Sequence, residues 1–192
     1  MNDKEMSIEE QIQAFETAAN AATPAVPKES VLGKTAAEIV EMVSSYASDA
    51  QVFYRKGDLV NAFAAAAYGL GWLDCGGHLG YMNTGISGCP MLESAFPAEL
   101  MEKLEEKTFR YQRMLTGALK AVSAAPDKET AAAAAASEIF STVSSGLTYG
   151  GTFLPKDLVN ALCIFSYWYG WLDCGVRSGL FVITGDRHLF TI

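Results

Sequence analysis

The sequence predicts an all-α protein of two pseudo-repeated three-helix bundles, six helices in all, standing separately or fused into one bundle. Three observations predict it. A long segment occurs twice, apolar residues recur at helical spacing, and no alternating β-branched pattern competes with them. The repetition is the strongest signal. DLVNAFAAAAYGLGWLDCGGHLGYM (58–82) aligns without gaps on DLVNALCIFSYWYGWLDCGVRSGLF (157–181), with 13 of 25 positions identical. Upstream, with one residue dropped in the turn, Glu38, Ile39, Val43, Ser44, Ser45, Phe53 and Lys56 meet Glu138, Ile139, Val143, Ser144, Ser145, Phe153 and Lys156. Order and spacing this regular indicate duplication, with one repeat in 1–90 and the other in 91–192.

Each element has its own sequence basis. Ser7-Ile-Glu-Glu10 has the spacing of a capping box, and Ile8, Ile12 and Phe15 supply one apolar face; Pro24 and Pro27 close this first helix. Thr35-Ala-Ala-Glu38 has the same spacing and predicts the start of the second, whose Ile39, Val43, Tyr46, Ala50 and Phe53 share a face. Gly57 ends it, and Asp58 caps the third. Residues 97–122 form the fourth, with Leu100, Leu104, Tyr111, Leu115, Leu119 and Val122 on one stripe. The fifth opens in the alanine run 131–136 and weakens past about Leu147, where Gly146, Gly150 and Gly151 disfavour a helix. Pro155 breaks the chain and Asp157 caps the sixth. Linkers fall at about 22–34, 83–96 and 123–127.

Composition narrows the function classes. Half of the 192 residues are apolar, and 22 Asp and Glu against 14 Lys and Arg leave a net charge of −8. Nucleic-acid binding is not expected, because it needs clustered cations. The apolar runs 62–73 and 161–172 have 12 residues each, short of the roughly 20 that a membrane span needs. They read as buried helices, so no membrane partner is expected. The acidic N-terminus lacks a secretory pattern, and Cys75, Cys89, Cys163 and Cys174 have no CxxC spacing; together these predict a cytoplasmic protein with reduced thiols. With two histidines and no metal-ligand spacing, neither a metal nor a cofactor is expected.

The repeated residues define the candidate site. Gly71, Gly76 and Gly80 match Gly170, Gly175 and Gly179, and each glycine costs a helix interior about 1 kcal/mol against alanine. Close helix packing through Gly76-x-x-x-Gly80 and Gly175-x-x-x-Gly179 is the simplest reason to retain them. Asn61, Tyr68 and Trp72 lie on one stripe with Cys75, as do Asn160, Tyr167 and Trp171 with Cys174. They read first as core and second as the lining of a pocket between helices. Asp74 and Asp173 fall off the stripe, and each has a basic partner four residues on, His78 and Arg177, giving an i,i+4 ion pair. No catalytic set converges.

GDLVNAFAAAAYGLGWLDCGGHLG (57–80), KDLVNALCIFSYWYGWLDCGVRSGLF (156–181), KLEEKTFRYQRMLTGALKAV (103–122) and GDRHLFTI (185–192) together resemble an archaeal family known as domain of unknown function 357. The resemblance implies small three-helix bundles with no established activity, and it supplies no catalytic residues. The second repeat carries it over nearly its full length, the first mainly over 36–82. A fainter similarity is to HEPN-type helical domains, whose ribonuclease members place a His four to six residues after an Arg. Here Arg177 precedes His188 by eleven residues and Arg187 adjoins it, so that motif is missing. The sequence therefore leans away from an enzyme. Its first expectation is a scaffold for a protein partner or for self-association. The second is a small-molecule site, for a nucleotide or coenzyme, lined by aromatics and Asp.

Overall fold

The computed structural model describes residues 7–85, 88–92 and 96–191. Six long helices follow in order: α1 (Ile8–Ala21), α2 (Val31–Arg55), α3 (Leu59–His78), α4 (Met101–Lys120), α5 (Ala131–Gly151) and α6 (Leu158–Arg177). Helices α3 and α6 lie at the centre and form the largest contact between elements. Both are buried on nearly every side, as expected of helices that are apolar all round. Around them, α1 and α2 pack on α3 while α4 and α5 pack on α6, so each repeat is a three-helix bundle and the two are fused through their third helices.

The helix starts follow local chemistry. Ser7 and Glu10 form the reciprocal capping box, with Ser7 Oγ accepting from Glu10 N at 3.1 Å and Glu10 Oε2 from Ser7 N at 2.8 Å. Asp58 and Asp157 cap α3 and α6 by accepting the amides of Asn61 and Asn160. Gly57, at φ 75°, turns the chain between α2 and α3.

Two expected boundaries are corrected. Helix α2 begins four residues before Thr35, capped by Ser30, whose Oγ accepts Gly33 N at 2.9 Å. Its first turn packs Gly33 against the carbonyls of Pro27 and Lys28, which a side chain there would meet. Helix α5 runs past Leu147 to Gly151. There Gly146 faces the Trp168 ring and Gly150 faces Phe165, so the missing side chains make room for α6. The helical penalty of these glycines is offset by the packing of two large rings, Phe165 fully buried and Trp168 partly so.

The sequence pattern predicts no strands, yet among the described residues each repeat has one short ladder. Thr23–Pro24 (β1) pairs antiparallel with Met82–Asn83 (β2), and Val122–Ala124 (β3) pairs with Phe181–Ile183 (β4). Ala25 N to Tyr81 O (2.8 Å) and Ala125 N to Leu180 O (3.0 Å) extend the two ladders equivalently. Each ladder ties the chain leaving the first helix of a repeat to the chain leaving the third. Two or three residues are too short to show a period of two, which is why no pattern announced them.

Candidate functional site

The site grows from the crossing of α3 and α6. Gly71 lies against the carbonyl of Tyr167 and Gly170 against the carbonyl of Tyr68, so a Cβ at either position would enter the facing backbone. One turn on, the buried Cys75 thiol is pushed well up, first by burial and then by the neighbouring Cys174 thiol. The small residues at this crossing are thus Gly71 and Cys75 with Gly170 and Cys174.

The expected Gly76-x-x-x-Gly80 crossing is corrected. Gly76 faces Ile39 and Met82 of its own repeat, and Gly175 faces Ile139 and Phe181. Gly80 and Gly179, both at φ 76°, have open space where a Cβ would stand and terminate their helices. There the amides of Tyr81 and Leu180 return to the carbonyls of Gly76 and Gly175, the hydrogen-bond pattern of a helix stop.

With the backbones this close, polar side chains reach across. The hydroxyl of Tyr68 donates to Asp173, and that of Tyr167 donates to Asp74, each joining one repeat to the other. The expected i,i+4 ion pairs are replaced by cross-repeat pairs: His78 Nε2 lies 3.5 Å from Glu138 Oε1, and Arg177 Nε lies 2.8 Å from Glu38 Oε2. Both aspartates point inward, towards the opposite tyrosine, and leave the basic groups to partners on α5 and α2.

The two carboxylates differ in what else surrounds them. Asp173 is fully buried and accepts Thr191 N at 3.1 Å and Thr191 Oγ1 at 2.5 Å from the C-terminal segment. Burial raises its pKa above the usual carboxylate range, against the opposing pull of the Thr191 and Tyr68 hydrogen bonds. Burial and the Asp173 charge push Tyr68 well up, and burial with Asp74 does the same to Tyr167. Asp74 accepts Gly88 N at 2.9 Å and borders an open cleft of about 620 Å³. Its walls are Asp74, Gly77, His78, Met82, Asn83, Thr84, Gly85 and Trp171. The His78 and Trp171 rings lie 5.1 Å apart.

The cleft therefore gathers Asp74, His78 and Trp171 from the sequence candidates and leaves out the others. Trp72 is wholly buried. Asn160 clasps the backbone of Leu92, accepting its N–H at 2.8 Å and donating to its carbonyl at 2.6 Å. Asn61 accepts from the Lys107 ammonium. Burial, with Arg110 nearby, lowers Lys107 to about 8. These asparagines fasten the chain instead of lining a pocket.

Asn83, Thr84, Gly88 and Thr191 lie in linker and tail segments that carry no periodic signal, so the sequence does not point to them. Glu38 and Glu138 did have one: they were already aligned as repeat equivalents.

No helix among the described residues is long and apolar enough to cross a membrane, and no group of three His, Cys, Asp or Glu among them is placed to hold a metal. No curated protein and no solved structure matches the chain. Residues 11–82 and 110–181 each match the family described as protein of unknown function DUF357. The matches bracket α3 and α6, including both reciprocal Tyr–Asp pairs. The chain belongs to the DUF357 family and carries its domain twice.

Proposed function

We propose that the protein is a binding module whose first repeat receives a small organic cation with a flat face, such as a guanidine or a protonated heteroaromatic base. A single contrast supports this reading: the Asp173 carboxylate is covered by the chain's own Thr191, whereas its counterpart Asp74 borders a cleft. Duplication leaves one site as structure and the other open. Asp74 would pair with the cation, and Trp171 with His78 would offer ring faces beside it. Among the described residues the cleft lining contains no Lys or Arg, and Glu138 behind His78 adds negative charge. This is the small-molecule reading of the sequence with a cationic ligand in place of the nucleotide or coenzyme expected there, and a catalytic role has no convergent acid–base set among the described residues to support it.

A thermal-shift series with guanidines, amines and protonated nucleobases tests it. A ligand specific to the folded state raises Tm with concentration. Substituting the half-exposed His78 by Ala should weaken that response at least several-fold. A flat response across all three classes would retire the proposal.

A protein-partner reading rests on a separate observation, the exposure of Val31 (79%) and Leu32 (49%) at the start of α2. Light scattering on the purified chain, with V31S/L32S as comparison, tests self-association through that edge. A monomer at every concentration counts against it.

A further inference from the structure

Two of the four cysteines break the duplication. Cys75 and Cys174 are repeat equivalents, but the position matching Cys163 in the first repeat is Ala64, and Cys89 lies in the linker between the repeats. In the fold these two unmatched residues, 74 positions apart, bring their sulfurs to 3.9 Å. Cys163 is buried on α6, where Gln11 of α1 donates to its sulfur at 3.7 Å and its own thiol donates to Pro90 O at 3.3 Å. Cys89 is half-buried and so is the residue of the pair nearer to solvent. Three residues further along the linker, Leu92 is held to α6 by both arms of Asn160. The linker is thus fastened on one side of the thiol pair, and on the other Gly88 N is bound to Asp74.

We propose that Cys89 and Cys163 form a peroxide-sensitive dithiol whose oxidation cross-links the linker to α6. Cys89, as thiolate, attacks one oxygen of hydrogen peroxide; the O–O bond breaks, a sulfenic acid forms and hydroxide leaves to take up a proton as water. Cys163 then attacks the sulfenyl sulfur. The S–S bond forms as the S–O bond breaks, and the Cys163 proton departs with the second water. Two thiols lose two electrons and two protons, and one peroxide becomes two waters. The sulfurs must close from 3.9 Å to about 2 Å, a step taken up by Cys89, which lies outside the helices. The Cys163 hydrogen bond and then burial push the Cys89 thiol up, so the reaction should accelerate as pH rises through the alkaline range.

The test uses the full reduced chain treated at alkaline pH with one equivalent of hydrogen peroxide, then alkylated, digested and mass-mapped. The expected product is a monomer with two of its four thiols lost and one linked peptide pair joining 89 to 163, lighter by two hydrogens. C89S and C163S should each abolish the link, while C75S and C174S should retain it. Limited proteolysis should also cut the linker several-fold more slowly in the oxidised chain. A Cys75–Cys174 link, a link between two molecules, sulfinic acid at Cys89 with Cys163 free, or four surviving thiols would each overturn the proposal. None of these outcomes bears on cation binding at Asp74, which the thermal-shift series reads separately.

Discussion

Tyr68 and Asp173 belong to different repeats, 105 residues apart, and the tyrosine hydroxyl donates to the buried carboxylate. The duplicated pair, Tyr167 and Asp74, repeats the contact in the opposite direction. A buried carboxylate needs donors, and these pairs supply them only when α3 and α6 are in register. The reciprocal contact therefore makes each repeat depend on the other. Removing one hydroxyl should show how much. Tyr68→Phe is expected to cost about 1–3 kcal/mol, because Asp173 has no route to water. Tyr167→Phe should cost less, since Asp74 borders the cleft and can be hydrated. Urea denaturation of both variants checks the order, and equal losses would contradict the asymmetry.

The glycines at the crossing make a second prediction. Gly71→Ala or Gly170→Ala sets a methyl group against rigid backbone, so each should destabilise by about 3 kcal/mol or more, at the upper end of overpacking costs. Gly151→Ala is the control: nothing lies within 4 Å of its added Cβ, and it should be neutral or stabilising by up to about 1 kcal/mol. Calorimetric melting of the three variants separates steric fit from helix propensity.

Asp173 governs one part of the pH dependence. Its folded pKa is raised by burial, so between the ordinary carboxylate value of about 4 and that raised value the folded state keeps a proton the unfolded state has lost. Stability contributed by this group is greatest at low pH and falls as pH rises through that window. Comparing wild type with Asp173→Asn isolates the effect: the wild type should lose ground relative to the variant as pH increases from about 4. Carboxyl carbon NMR should show Asp173 titrating above the exposed aspartates.

Lys107 should behave as an unusually reactive amine. At about 8 it is substantially neutral in mildly alkaline buffer, where ordinary lysines near 10.4 remain charged. Because the folded state sheds this proton first, stability from this group rises between pH 8 and about 10. Limited acylation at pH 8 followed by peptide mapping should find Lys107 modified before Lys34 or Lys128.

Much of the helical architecture was legible because each signal was local. Ser7-x-x-Glu10, Asp58 and Asp157 marked helix starts through side-chain reach to nearby amides, and the 58–82 and 157–181 identity announced the duplication. Thr35 misled because its capping-box spacing lies inside a helix that Ser30 had already begun, near the Pro27 carbonyl. The site was only half legible. Asp74, His78 and Trp171 were among its candidates, yet helical spacing suggested that His78 would turn to Asp74, when both are drawn across to the other repeat.

By itself the sequence determined six amphipathic or apolar helices, the caps of the first, third and sixth, and their twofold repetition, since these depend on residues within a few positions of one another. Only the tertiary structure decided that Gly71 and Gly170, not the Gly-x-x-x-Gly pairs, meet facing backbone, that each aspartate takes its hydroxyl donor from the other repeat, and that one carboxylate is capped by Thr191 while the other opens to a cleft. Those choices rest on contacts between residues about a hundred positions apart, or on linker and tail segments with no periodicity, where no local rule reaches.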